Sequence, residues 1–355
     1  MPEKEICPYC FEYVEEILLD RNVYCSFDAV NKKFLHSGSP GKVPGKTLLI
    51  SPQYFHSASP ENLRVITFTG AASQGKTVYI ETLCSILQKR DRGSYVDGFP
   101  KNSYDVYCTP LHTESNLANH PFFTPYERLW KKGIVPLGTN PQERPPSLIV
   151  KFHLNKGNPG VWHRIKKRHK QDVVCIFNDI AGEPAQKAET WILRDDLVPH
   201  CKRTTDTFLI ADASLPEDKL AAFLNRLLSA YTAIGSRTRK QNLLIILTKI
   251  DLLPLDHRVR EICLTEPYLF ENGNFHEYSR GIHLVSRRLE TYFRENFINA
   301  YNLMKDNFRK LFFTGTSSLG AAPLMVNKEV RASFDIQPVR VVDPLLIVLS
   351  EANHF

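Results

Sequence analysis

The chain of 355 residues has no run of about 18 apolar residues, so neither a membrane-crossing helix nor any membrane insertion is expected. Its opening, MPEKEICPYCFEY, lacks the basic-then-apolar order of a secretory signal, and the expected location is the cytoplasm. The eight cysteines, at 7, 10, 25, 84, 108, 175, 201 and 263, form no evident disulfide framework. Only the first three cluster; the others mostly fall within apolar runs such as VVCIF (173–177), where a thiol behaves as a small buried hydrophobe. Internal repeats and low-complexity tracts are missing, which sets repeat architectures aside. The scattered histidines assemble no Ser-His-Asp or Cys-His set, so no activated side-chain nucleophile is expected. One sign of charge is only mildly in excess: 45 Lys and Arg against 38 Asp and Glu leave a net charge of +7. Such a balance tolerates an acidic or nucleic-acid partner without demanding one.

What is present is ordinary globular composition, 43% apolar, at a length suited to one large domain or two smaller ones. Residues 1–36 hold the cysteine cluster, and 37–62, rich in Gly, Pro and Ser, read as a linker. Within that linker GKVPGKT (41–47) imitates a phosphate loop, but Pro40 stands where the first glycine is required. From Leu63 onward short apolar strands alternate with amphipathic helices. The strand text is LRVITFT (63–69), SLIVKFHL (147–154), DVVCIFN (172–178), TFLIAD (207–212), NLLIILTK (242–249) and LFFTGT (311–316). The second and third of these are expected to form an antiparallel hairpin. Helical spacing follows at Ile80, Leu83, Cys84 and Leu87, at Leu220, Phe223, Leu224, Leu227, Leu228 and Tyr231, and at Val285, Leu289, Tyr292 and Phe293. Asp343-Pro344 opens a closing helix. Residues 91–146 break the βα rhythm and read as an insertion, with one short helix in TPYERLWKKG (124–133). Continuous apolar strands between helices predict an α/β fold with a mostly parallel sheet covered on both faces.

Four motifs fall at the ends of these strands. Gly70-Ala71-Ala72-Ser73-Gln74-Gly75-Lys76-Thr77 fits G-x-x-x-x-G-K-[ST] in full, between a strand and a helix. Its glycines let backbone N–H groups turn inward around a phosphate, Lys76 supplies a compact positive charge, and the Thr77 hydroxyl can hold Mg²⁺. A carboxylate from another strand end should order the Mg²⁺ shell. Asp179, opening Asp179-Ile180-Ala181-Gly182-Glu183, is preferred over Asp212, because D-x-x-G also places the Gly182 N–H to sense a γ-phosphate. Thr248-Lys249-Ile250-Asp251 supplies a carboxylate that can accept from guanine N1–H and its exocyclic amine, a donor pair adenine lacks, while the Lys249 stem covers the base. Gly315-Thr316-Ser317-Ser318-Leu319 offers backbone N–H groups for the guanine carbonyl. The order and position of the four say more than any one of them, since ligands of open α/β sheets bind at this edge.

Residues 63–349 resemble the Ras-like GTPase domain of the TRAFAC class of P-loop GTPases: GAASQGKT is similar to its first motif, DIAGE to its third, TKID to its fourth and FTGTSS to its fifth. CPYCFE near the N-terminus and DPLLIVL near the end resemble a bacterial branch, the double-GTPase proteins of conflict and defence systems. The resemblance implies a Ras-like P-loop NTPase fold, GTP and Mg²⁺ as ligands, slow hydrolysis, and nucleotide-dependent contact with an unknown protein effector or regulator. The second motif's threonine, completing Mg²⁺ coordination, is assigned to Thr139 in VPLGTNP. Two departures stand out: Thr248 replaces the commoner Asn, and Glu183 stands where many relatives carry a water-orienting Gln. A non-hydrolysing GTP-binding scaffold and a P-loop ATPase or kinase are the alternatives.

Cys7-Pro-Tyr-Cys10 with Cys25 is most of a zinc-ribbon-like site, and Asp28 or His36 would supply a fourth Zn²⁺ ligand. The basic run 162–170, WHRIKKRHK, could touch nucleic acid, but its place between two hairpin strands favours a solvated loop tip.

Overall fold

The computed structural model describes residues 63–71, 73–89, 106–110, 129, 132–135, 147–154, 173–180, 198–265, 275–327, 329–332 and 336–353, together with five short strands before residue 51. Those five are Glu5–Ile6, Tyr13–Val14, Cys25–Asp28, Lys33–His36 and Leu48–Ile50. Leu48–Ile50, from the expected linker, pairs antiparallel with Lys33–His36, which in turn pairs with Cys25–Asp28.

The centre of the protein is a seven-stranded sheet. In chain order its strands are β1 (Leu63–Thr69), β2 (Val106–Pro110), β3 (Leu148–Leu154), β4 (Val173–Asp179), β5 (Asp206–Asp212), β6 (Asn242–Thr248) and β7 (Lys310–Gly315). Across the sheet the order runs β7-β6-β5-β1-β4-β3-β2. β1, β4, β5, β6 and β7 are mutually parallel. β3 runs antiparallel to β4, as its sequence position suggests, and β2 continues antiparallel at the edge. β2 comes from the 91–146 interval, whose prolines and aromatics concealed a strand of only five residues.

The middles of the parallel strands are mostly apolar because both faces are covered. β4 and β6 are buried along their whole length. Alternation along each strand divides the side chains between two layers. Phe68, Phe177, Phe208, Leu244 and Ile246 enter one core beneath helix α1 (Lys76–Lys89) and the C-terminal helix α7 (Asp343–Asn353). Leu209, Leu243, Ile245, Leu247 and Phe313 enter the other. That second core is closed by α3 (Glu217–Ala233), α4 (Arg258–Thr265), α5 (Phe275–Asn296) and α6 (Ile298–Asn307), with Cys201 of the short α2 (Val198–Arg203). Of the periodic residues expected on α1 and α3, Ile80, Leu83 and Cys84 are buried on the first and Leu220, Phe223, Leu224, Leu227 and Tyr231 on the second; Leu228 is half-buried and the Leu87 side chain lies outside the described set. Each such aliphatic or aromatic side chain contributes about 1.5–3 kcal/mol by leaving water.

Two polar devices finish the sheet. At its N-terminal end the buried Asp206 carboxylate accepts from Asn242 Nδ2 at 2.7 Å and Thr205 Oγ1 at 2.8 Å. At the outer edge α5 lies against β7, and the Phe313 N–H donates to Ser286 Oγ at 2.9 Å, giving an edge-strand amide a partner.

The C-terminal helix is held by a buried charge pair. Arg340 Nη1 donates to Asp343 Oδ2 at 2.7 Å, Arg340 Nε to the Cys263 carbonyl at 2.5 Å, and Tyr278 Oη to Asp343 Oδ1 at 2.6 Å. Among the described residues no helix is long and apolar enough to cross a membrane.

Candidate functional site

Register brings the expected residues to one edge. Phe68 pairs with Asp179, Thr69 with Leu209, Asp212 with Thr248 and Leu247 with Gly315. The C-terminal ends of β1, β4, β5, β6 and β7 therefore lie side by side, and the loops that leave them form one surface.

The loop after β1 is tightly seated. A Cβ at Gly70 would stand 2.4 Å from the Ile210 carbonyl oxygen, so the chain passes β5 where no other residue fits. Gly75 takes a left-handed φ of 82°, and its carbonyl accepts the first helical bond of α1 from Tyr79 N–H at 2.9 Å. Lys76 and Thr77 begin α1, whose first turn has no acidic residue, which leaves the positive end of the helix dipole uncompensated. Lys76 is buried and donates from Nζ to Asp179 Oδ1, so the lysine and the strand-end carboxylate chosen from sequence are in direct contact. Ala71, Ser73 and Gln74 complete the described loop.

The base-side loops are fastened to this cradle. Thr248 Oγ1 donates to the Gln74 carbonyl at 2.6 Å, and Lys249 Nζ donates to the Ser73 carbonyl at 3.0 Å. Lys249 has a left-handed φ of 61° before a single 3₁₀ turn, Ile250–Leu252, that contains Asp251. Arg260 holds that turn, donating from Nη1 to the carbonyls of Asp251 at 3.0 Å and Leu253 at 2.7 Å.

The loop after β7 joins the same cluster through its backbone. Thr316 N–H donates to the Leu247 carbonyl at 2.7 Å, and Ile250 N–H to the Thr316 carbonyl at 3.3 Å. Thr316 and Ser317 are buried and Ser318 is partly exposed. Thr316 Oγ1 has no hydrogen-bond partner among the described residues. Ser317 and Val339 exchange two backbone bonds of 3.0 and 2.8 Å, and Ser317 Oγ accepts from Gly320 N–H at 2.9 Å. Between Gly320 and Gln337 the chain makes a small hairpin, β8 (Leu324–Val326) with β9 (Glu329–Arg331). The segment 133–135 lies alongside: Val135 N–H donates to the Val330 carbonyl and Ala332 N–H to the Gly133 carbonyl, both at 2.8 Å.

Gly70, Ala71, Ser73, Gln74, Gly75, Lys76, Thr77, Asp179, Thr248, Lys249, Asp251, Thr316, Ser317 and Ser318 thus share one sheet edge. Ala72, Thr139, Gly182 and Glu183 lie outside the described residues, as do Cys7, Cys10 and the basic run 162–170. Cys25 and Asp28 open and close one N-terminal strand, but their side chains are outside the described set. Among the described residues no group of three His, Cys, Asp or Glu is placed to hold a metal ion.

Sequence reasoning missed three participants: Arg260, Val339 and the true partner of Asp212. Asp212, the less favoured Mg²⁺ carboxylate, accepts at Oδ2 from Lys249 Nζ at 2.7 Å, and its N–H donates to Gln74 Oε1 at 2.6 Å. Burial pushes the Asp212 carboxyl up, but hydrogen bonds from Lys249 and Ser214 outweigh it and hold the group below the usual carboxylate range. No local signal marks these contacts, because each depends on strand register.

No family model matches the chain, and no curated protein matches it in sequence. Among solved structures, it is similar to a GTP-binding protein from Sulfolobus solfataricus in complex with GDP, at 13% identity and TM-score 0.27. That match covers 75% of this chain and 50% of the other. A complex of SsGBP with GDP is similar at 11% identity and TM-score 0.27, covering 75% and 49%. The chain spans about half the length of both structures.

Proposed function

We propose that the chain is a Ras-like guanine-nucleotide-binding protein, a slow GTPase that changes its contact with a protein partner according to the nucleotide held. The observation that carries this reading is the meeting of three loops at one sheet edge. Lys249 bridges the base-side loop to Ser73, and Ile250 joins it to the loop containing Thr316.

In this reading the amides of residues 70–77 and the Lys76 ammonium hold the phosphates, and Asp251 selects guanine by accepting from its two edge donors. The buried Thr316 Oγ1, without a hydrogen-bond partner among the described residues, and the left-handed Gly75 beside Thr248 and Lys249 fit such a ligand. Thr77, Asp179 and Thr139 are the residues that would hold Mg²⁺, which when bound neutralises phosphate charge. Asp179 also pairs with Lys76, so the two charges are already compensated within the protein. Glu183 is assigned the positioning of attacking water and Gly182 the sensing of the γ-phosphate. The N-terminal zinc-ribbon-like module, with Cys7, Cys10, Cys25 and Asp28 as Zn²⁺ ligands, and membership of the double-GTPase branch belong to the same proposal. So does a cytoplasmic setting.

The deciding experiment is a binding series of GTP, ATP and XTP against wild type and Asp251→Asn. Loss of GTP with gain of XTP in the variant is expected. Tight ATP binding that ignores the substitution would remove the guanine assignment. Hydrolysis is tested separately: Glu183→Ala is expected to slow turnover while binding persists, and equal rates would leave a scaffold that holds GTP without cleaving it.

A further inference from the structure

Two residues of the site have left-handed backbones without being glycine, Ser73 at φ 63° and Lys249 at φ 61°. Such a conformation costs on the order of 1–3 kcal/mol and persists only where its surroundings over-determine it. The two residues sit on different loops, and one ammonium group joins them: Lys249 Nζ donates to the Ser73 carbonyl at 3.0 Å. The second partner of that ammonium is Asp212 Oδ2, at 2.7 Å. The carboxylate cannot swing away, because its other oxygen accepts from Ser214 N–H at 2.9 Å and Ser214 Oγ at 2.6 Å. From the same residue the backbone N–H reaches Gln74 Oε1 at 2.6 Å. Asp212 therefore touches the phosphate loop with its main chain and the base-side loop with its side chain.

We propose that Asp212 is a positioning residue of the nucleotide site that acts through Lys249, holding the ammonium against Ser73 so that the two loops behave as one unit. The inference rests on the guanine-nucleotide reading, in which the Lys249 stem covers the base. A carboxylate and an ammonium make a charge-assisted bond, about twice as strong as a neutral one. Removing the charge at Asp212 leaves Lys249 with the Ser73 carbonyl alone, in a side chain already partly open to water. The ammonium then exchanges with solvent, the strained backbone of Lys249 loses its anchor, and bound nucleotide leaves faster.

The test is the release rate of a fluorescent GDP analogue from four proteins: wild type, Asp212→Asn, Lys249→Met and the double variant. Asp212→Asn is expected to release about tenfold faster, the size of one lost hydrogen bond to a charged group. The double variant should be no faster than Lys249→Met, because a residue acting through another adds nothing once that other is gone. Asp212→Glu, which keeps the charge, should recover most of the rate, an outcome that a purely packing role would not produce. Should Asp212→Asn not fold, Ser214→Ala carries the test, with an expected two- to threefold acceleration from the loss of one orienting bond. Multiplying effects in the double variant, or wild-type release from Asp212→Asn or from Ser214→Ala, would overturn the role of Asp212 and leave the guanine reading intact. A wild-type protein that does not retain the GDP analogue removes the reading and the inference together.

Discussion

Adding one methyl group at each of two glycines should move stability in opposite directions. At Gly70 the new Cβ would meet the Ile210 carbonyl oxygen at 2.4 Å, whereas carbon–oxygen contacts normally begin near about 3.3 Å. Close to an ångström must be opened between the end of β1 and β5. Neither side can yield cheaply. Thr69 is locked in register with Leu209, and β5 is held from behind by β6 along its full length. Overpacking a tight site costs roughly 1–3 kcal/mol, and the upper end applies where the obstacle is backbone. Gly281, inside α5, has no atom of the described residues beyond its own helical turn within 4 Å of the same added atom. There, alanine removes the entropy cost of a helical glycine and should stabilise by roughly 0.5–1 kcal/mol. The two variants should differ by about 3.5–4 kcal/mol, or about 1.2–1.3 M in urea midpoint at a slope near 3 kcal/mol per M. Urea unfolding followed by circular dichroism measures this directly. Retention of a GDP analogue, lost in Gly70→Ala and kept in Gly281→Ala, adds a functional readout. A Gly70→Ala protein within about 0.5 kcal/mol of wild type would refute the close-approach reasoning.

The buried pair of Arg340 and Asp343 and the exposed pair of Arg258 and Glu295 offer a second contrast. Asp343→Ala should cost about 3–5 kcal/mol by stranding a buried guanidinium, and Glu295→Ala at most about 1 kcal/mol; similar midpoints for the two would contradict it. Burial raises the Asp206 carboxyl above its ordinary 3.8, only partly opposed by Arg64, Thr205 and Asn242. A raised folded value gives stability that is complete below the unfolded value and lost as pH rises through the folded one. Wild type should therefore lose more stability than Asp206→Asn on going up from pH 4 through the acid range, and parallel urea midpoints would tell against this. Burial also pushes the Cys263 thiol up to about 12. Its peptide should stay unalkylated by iodoacetamide in native protein at pH 8.5 and react on unfolding, as peptide mass mapping would show.

Most of the sheet was legible because its strands are buried on both faces, so their apolar runs stand out without any partner in view. LRVITFT is β1 residue for residue, and TFLIAD and NLLIILTK depart from β5 and β6 by one residue at an end. The antiparallel placement of β3 was legible from the polar stretch between two apolar runs. β2 was not, since an edge strand of five residues with a terminal proline carries no repeated pattern. Helices α4 and α6 also escaped notice, being short and recognisable chiefly by what they cover. In the site, Lys76, Asp179 and Asp251 follow from motif and strand end. Asp212 shows the limit of that reasoning. A strand-ending aspartate has the same text whether it faces a cation from solution or a lysine from the next strand. The pairing of Asp212 with Thr248, which puts Lys249 one residue beyond, is what brings the two side chains together.

The small sheet built on β9 has a consequence for the order of assembly. Val135 and Ala332 form their hydrogen bonds across a gap in sequence that contains β3, β4, β5, β6 and β7. Closing so long a loop gives little return until the strands between are already paired, so these contacts form among the last. Bonds made late, away from the main sheet, are also those that open first. Amide exchange at Val135 and Ala332 should therefore outpace exchange at Ile245 and Ile246 by orders of magnitude. Among the described residues, the junction of β9 with 133–135 should open well before the strand ends that carry Thr248 and Thr316.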